Sequence, residues 1–176
     1  MIDDRPQIFS VSQDTFTFAS AISSDITVAF NNNFILENIT AVKTFKITTG
    51  GKTHEVSLSH TKRDDSENSY NTTVKYGNAE METQSFKNLY HRILSLSLIG
   101  FVTEAKKTDV VLSMTFVFND GVSSKTVQLT EKPDDMYHYV AWVDGVPLGE
   151  VLKTTVDDVV KNLDVFVSGG QVPSVW

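Results

Sequence analysis

The stretch Asp109–Leu163, DVVLSMTFVFNDGVSSKTVQLTEKPDDMYHYVAWVDGVPLGEVLKTTVDDVVKNL, reads as one complete unit of strands closed by a helix. Leu112, Met114, Phe116 and Phe118 alternate, which places them on one face of an extended chain. Asn119-Asp120-Gly121 then supplies a short-range hairpin signal, and Val127 and Leu129 continue on the returning strand. Pro133-Asp134-Asp135 makes a loop. In Met136–Val143 both faces are substantial, with Tyr137, Tyr139, Ala141 and Val143 on one and Met136, His138, Val140 and Trp142 on the other, which predicts a central strand. Asp144-Gly145 turns the chain into a short strand, Val146–Leu152, where Pro147 lacks an N–H and predicts an edge position. Val156, Val159, Val160 and Leu163 then form the buried stripe of a helix starting at Thr154 or Thr155. Thr155 with Asp158 resembles a capping box, and Asp157 suits the positive end of the helix dipole.

Much of this unit has an echo earlier in the chain. Thr44–Gly50 aligns without a gap on Thr115–Gly121, and the register continues from Val56 and Leu58 onto Val127 and Leu129. The first copy has a strand over Ile39–Thr48, a Thr49-Gly50-Gly51 turn and a return over Thr53–Ser59. A charged loop follows from His60 to Ser69, then a strand in which Tyr70, Thr72, Val74 and Tyr76 alternate. Its helix is predicted over Gln84–Leu98, capped by Thr83 or Ser85 and ended by Gly100, with Phe86, Leu89, Tyr90, Ile93 and Leu96 on one stripe.

These elements imply an α+β fold built from two duplicated units, each an antiparallel β-meander closed by one amphipathic helix, with about eight or nine strands and two helices in all. Residues 1–38 form a lead-in with strands near Thr15–Ala19 and Ile26–Phe30, broken by Asn31-Asn32-Asn33. Residues 39–100 and 101–168 are the two units, and 169–176 is a tail, flexible at Gly169-Gly170, in which Val175 and Trp176 are placed to dock.

Composition narrows the functions. The formal charge of -7 opposes nucleic-acid binding, which needs concentrated Lys and Arg. The acidic excess is heaviest between Glu131 and Asp164, so that region repels anionic membranes. The absence of cysteine excludes disulfides, thiolate catalysis and thiolate metal sites. The longest apolar run, Ile93–Val102, is far below the ~20 residues that span a bilayer. Met1–Pro6 opens without the apolar region of a signal peptide.

Candidate chemistry is sparse. His54, His60, His91 and His138 show no ligand-like spacing to one another, and His54 and His60 read as exposed edge residues. His91 falls at a polar helix boundary, whereas His138 shares a strand face with Trp142. Asp64-Asp65, Asp134-Asp135 and Asp157-Asp158 are adjacent in sequence, so they point apart in a strand or are solvated in a loop. Among them the Asp134-Asp135 loop is the better calcium candidate, but it lacks the Asp-x-Asp-x-Asp-Gly pattern. No phosphate loop, nucleophile elbow or dinucleotide fingerprint occurs, so neither catalytic residues, metal ligands nor a cofactor are assigned. Asn38-Ile39-Thr40 and Asn71-Thr72-Thr73 match the glycosylation sequon, a triplet common by chance. The aromatic side chains Tyr70, Tyr76, Tyr137, Tyr139 and Trp142 are the candidate ligand-binding residues, provided the outer sheet face is open.

The order of strand, Gly-containing hairpin, Tyr137-His138-Tyr139-Val140 strand, Asp144-Gly145 turn and Thr155-Val156-Asp157-Asp158-Val159-Val160 helix resembles an uncharacterised bacterial domain-of-unknown-function family. The resemblance covers roughly residues 39–165. Members of that family carry tandem units of this kind, often behind one N-terminal membrane segment, and some are encoded near transport components linked to gliding motility. It implies an extracytoplasmic, envelope-associated accessory module with a protein partner, anchored through a segment not seen in this chain. The expectation is therefore a non-enzymatic interaction module. A small-ligand or carbohydrate-binding module using an aromatic sheet face is the alternative.

Overall fold

A computed structural model describes residues 32–64 and 69–175. Strands expected near Thr15–Ala19 and Ile26–Phe30 lie outside the described residues. The described helices and strands all belong to one unit, Asn33–Trp176.

The fold is α+β. Among the described residues nine strands form one antiparallel sheet: β1 (Val42–Thr49), β2 (Lys52–Lys62), β3 (Tyr70–Tyr76), β4 (Ala79–Met81), β5 (Gly100–Phe101), β6 (Val110–Phe118), β7 (Ser124–Glu131), β8 (His138–Val143) and β9 (Val146–Leu152). The order across the sheet is β4-β3-β2-β1-β6-β7-β8-β9-β5. Thus two meanders meet along the β1–β6 seam, where Phe45 faces Phe116. Helices α1 (Thr83–Leu94) and α2 (Lys153–Val167) follow β4 and β9. The core joins Phe86, Leu89 and Ile93 of α1 and Val156, Val159 and Leu163 of α2 to alternate strand residues from both meanders. The helices also touch each other, Phe86 lying 5.5 Å from Phe166 between ring centroids.

Tight turns have the chemistry their geometry demands. Gly50 and Gly51 both take positive φ, 56° and 75°, in the two-residue link from β1 to β2, a conformation in which glycine meets no Cβ penalty. At the other hairpin Asp120 accepts the backbone N–H groups of Val122 and Ser123, each at 2.9 Å. This second link is longer, and the difference alters the expected equivalence of the halves. Val56 sits opposite Phe45, but Lys125 sits opposite Phe116 and Val127 opposite Met114. The gapless alignment of Val56 on Val127 is therefore offset by two residues in the pairing. A two-residue slip keeps every side chain on its face, so the alternation pattern does not reveal it.

Other boundaries also differ from expectation. Residues Ile39–Ala41 form a 3-10 turn, with Asn38 accepting the Thr40 N–H, and the strand begins only at Val42. His60 and Lys62 belong to β2 rather than to the charged loop. Helix α1 is capped by neither Thr83 nor Ser85 but by Glu82, whose carboxylate accepts the N–H groups of Gln84 and Ser85. Thr83 instead donates to the Thr72 carbonyl at 3.0 Å. The helix stops at Leu94, and the Ser95 hydroxyl donates to the His91 carbonyl at 2.7 Å. Leu96 and Leu98 are buried from extended chain, and Gly100 opens β5. Helix α2 begins at Lys153 without a side-chain cap, since the Thr155 hydroxyl donates to the Leu152 carbonyl. Asp158 pairs with Arg92 of α1 at 2.5 Å, not with Thr155. Residues 170–173 run along α1: Ser85 donates to the Gly170 carbonyl, Asn88 to Val172 and Arg92 to Pro173. Among the described tail residues Val172 docks, whereas Val175 remains exposed, and Trp176 lies outside the described residues.

Pro147 does not mark an edge strand, because β5 covers β9. The proline instead lies beyond the β5 pairing, opposite Trp142 at an irregularity in the β8–β9 ladder. The close approach of β5 requires Gly149. A Cβ there would fall on the Gly100 carbonyl oxygen and within 3.2 Å of the Leu98 side chain. Replacing Gly149 by alanine is expected to destabilise the protein by about 1–3 kcal/mol through overpacking. Urea unfolding measures this, and hydrogen exchange should quicken at Ile99 and Val102, whose N–H groups donate to Glu150 and Leu148. A change within about 0.5 kcal/mol, the range of an ordinary surface substitution, would count against the tight β5–β9 contact.

Candidate functional site

The five aromatic candidates do not share one surface. Tyr70 and Tyr76 lie on β3, whereas Tyr139 and Trp142 lie on β8 with Tyr137 just before it. Strands β2, β1, β6 and β7 separate the two groups. Trp142 is only 5% exposed, and its indole N–H donates to the Thr130 hydroxyl at 2.9 Å. It lies on the sheet face opposite the helices, where the Lys107 ammonium stands 5.7 Å from the ring centroid. Lys107 also donates to Gln128, and Thr108 to the Glu131 carbonyl, so this segment straps the outer face of the second meander. Tyr139 packs against the core on the helix side, with the Lys153 ammonium 4.7 Å from its ring centroid. Burial, followed by Glu131, raises its phenol. Tyr76 is engaged with His54, leaving Tyr70 and Tyr137 as the exposed members.

Polar side chains converge instead at the β8–β9 end of the outer face. Glu150 of β9 stands beside Val140, two residues from His138. The Lys132 ammonium lies 2.7 Å from Glu150 Oε1 and 3.0 Å from Asp135 Oδ2. Asp135 also accepts the N–H groups of Tyr137 and His138, at 2.9 and 3.1 Å, and lies 2.8 Å from His138 Nδ1. The His138 contact, then the Tyr137 amide and Lys132, hold its carboxyl well below the usual carboxylate range. Glu150 first, and then Asp135, raise the Lys132 ammonium. This carboxylate closes the loop that sequence alone made the better calcium candidate.

One donor atom from each of Asp135, His138 and Glu150 lies within 4.8 Å of the other two, a set that suits a borderline divalent metal. However, Lys132 already bridges the two carboxylates, so a metal ion would have to displace an ammonium from its paired position. Two cavities among the described residues lie elsewhere. The larger, about 590 Å³, runs along α1, and the smaller, about 460 Å³, is lined by Glu55, Ser57, Tyr76 and Gly77. Neither of these two cavities is lined by Asp135 or His138.

The remaining histidines stay apart. His54, expected at an exposed edge, is 3% exposed on the core face of β2, with Nδ1 2.8 Å from the Tyr76 hydroxyl. Strand parity places His54, Val56 and Leu58 together, but a polar residue in such a pattern gives no sign of being buried. His60 spans two strands, its Nε2 lying 3.0 Å from the Val42 carbonyl and its Nδ1 3.0 Å from the Thr72 hydroxyl. Since a carbonyl only accepts, Nε2 carries the proton. His91 is exposed on α1.

Known families, curated proteins and solved structures offer no match to this chain.

Burial assigns Trp142 a structural role. Trp142→Ala is expected to cost about 3–5 kcal/mol in denaturant unfolding. Thr130→Val should cost about 1–3 kcal/mol by leaving the buried indole N–H without an acceptor. Near-neutral results for both would restore Trp142 as a surface residue.

His54 makes stability pH-dependent. Burial, with Lys52 adding to it and Asp164 opposing, lowers its pKa from the ordinary 6.5. The unfolded chain therefore binds the proton more readily, so this contribution is complete above pH 6.5 and is lost as pH falls through the depressed value. Thermal melts of wild type and His54→Gln between pH 8 and 5 should show a steeper acid loss in the wild type. Parallel curves would remove His54 as the cause.

Proposed function

We propose that the protein is a non-enzymatic interaction module of the bacterial cell envelope, engaging a protein partner along the β5 edge of its sheet. The observation that carries this reading is the gathering of exposed apolar side chains at that edge. Ile99 and Phe101 are 48% and 46% exposed on and beside the terminal strand. Continued by one residue, the β5–β9 register sets Ile99 opposite Val151, and the next residue, exposed Leu152, pairs with His138 and so neighbours exposed Met136 and Tyr137. Among the described residues β5 ends the sheet, and an edge flanked by apolar side chains suits an added strand, with backbone hydrogen bonds supplying affinity and side-chain contacts supplying selectivity. The ion network of Lys132, Asp135, His138 and Glu150 anchors the loop that carries Met136 and Tyr137.

The two meanders are, in this reading, copies of one ancestral unit. Support comes from the β1–β6 seam, where Phe45 and Phe116, equivalent in the internal alignment, are direct partners, as in a pair related by a local two-fold axis. The two-residue offset in β7 then records divergence of a hairpin link. Placement in the envelope rests on the family resemblance of residues 39–165. Among the described residues, no helix is long and apolar enough to cross a membrane.

The test compares the wild type with an Ile99→Lys/Phe101→Glu variant of matched circular dichroism and melting temperature. A partner captured from bacterial envelope extract should bind the variant at least about tenfold more weakly, the effect of losing a buried anchor. Undiminished binding would refute the edge. A saturable thermal shift with a sugar, and no captured protein, would replace this reading with a ligand-binding one.

A further inference from the structure

The cavity along α1 is lined by apolar side chains including Leu36, Ile39 and Leu94, with buried Tyr90 behind them. At about 590 Å³ it falls within the range of small-ligand sites. Leu36, 69% exposed, stands at its margin. Its polar groups are unequal. Glu37 is held by Lys125 at 2.6 Å, and its backbone carbonyl accepts the Tyr90 hydroxyl at 2.9 Å. Burial raises the Tyr90 phenol, so that group stays neutral. Lys87 and His91, by contrast, lie one helical turn apart on α1 and line the same cavity. Neither side chain has a hydrogen bond or ion pair to another described residue.

We propose that this groove binds a small anionic amphiphile, specifically a free medium-chain aliphatic carboxylate, with its headgroup at Lys87 and His91 and its chain over Leu36, Ile39 and Leu94. Charge complementarity selects the headgroup: the lining carboxylate is already neutralised by Lys125, whereas the ammonium and imidazole have no hydrogen-bond partner among the described residues. The headgroup belongs at the Lys87 end, because the helix C-terminus near Leu94 carries partial negative charge. The apolar wall selects the chain. A free molecule is favoured over a bilayer headgroup because a chain of net charge -7 is repelled by an anionic membrane.

Calorimetric titration of the full chain with decanoate, decanol and phosphatidylglycerol vesicles tests the proposal. The expected result is one saturable site for decanoate, with decanol at least about tenfold weaker, since it lacks the charge-assisted contact. Lys87→Gln, on a half-buried side chain without partners among the described residues, should weaken decanoate about tenfold without changing the melting temperature. Leu36→Asp should abolish binding. Equal affinity for decanoate and decanol, indifference to Lys87→Gln, binding to vesicles alone, or no saturable heat with decanoate would each overturn the assignment. Because β5 and α1 carry separate sites, the Ile99→Lys/Phe101→Glu variant should retain decanoate binding whatever becomes of its protein partner.

Discussion

The sheet is continuous only because β1 and β6 accept each other as neighbours, and that acceptance is aromatic. Phe45 and Phe116 lie 5.0 Å apart at the seam. Tyr90 approaches both rings at 6.1 Å in edge-on geometry, while Phe86 links Phe45 to Phe166 of the second helix. Edge-to-face contacts of this kind each add about 0.5–1.5 kcal/mol beyond area burial. More important is their placement. One cluster joins the two strands that open the meanders to the two helices that close them. Without it, each meander would keep its local hairpins but lose the surface against which its helix packs.

This constraint divides the molecule into a helix-covered face and an outer face. The outer face differs between the halves. On the second meander, the segment around Lys107 and Thr108 covers the region of Val140 and Trp142. On the first, Thr44, Lys46, Thr48, Glu55 and Ser57 present a polar surface with cross-strand pairs such as Lys46–Glu55. The exposed apolar residues accumulate instead near β5, and the Lys87 ammonium and His91 imidazole lie on α1. These are different sorts of surface supported by the same core.

Much of the architecture was legible because it repeats over several residues. The alternation of Leu112, Met114 and Phe116 and the stripes of Phe86, Leu89, Ile93, Val156, Val159 and Leu163 all point to the observed core. Strands β4 and β5 are too short to show a period, so the count of nine among the described residues arises independently of the two expected N-terminal strands. The Glu82 cap is hard to see in sequence because Thr83 and Ser85 are also good cap residues, and only the hydrogen bonds of Thr83 to Thr72 and Ser85 to Gly170 explain why they are otherwise engaged. The local order of Lys132, Asp135 and His138 was visible, but the arrival of Glu150 depended on the β8–β9 register. Likewise Leu36 lies far along the chain from Lys87 and His91, and it is folding that sets them around one groove.

The clasp between α1 and residues 170–173 also bears on the order of events during synthesis. Ser85 finds its acceptor on Gly170, 85 residues further along the chain. At typical elongation rates of about 5–20 residues per second, that acceptor is added roughly 4–17 s later. Over the same interval Asn88 and Arg92 also await Val172 and Pro173. The earlier helix thus emerges before the groups that complete its surface. A nascent first meander, even with all of its own strands made, is an unfinished object until the later chain returns to it.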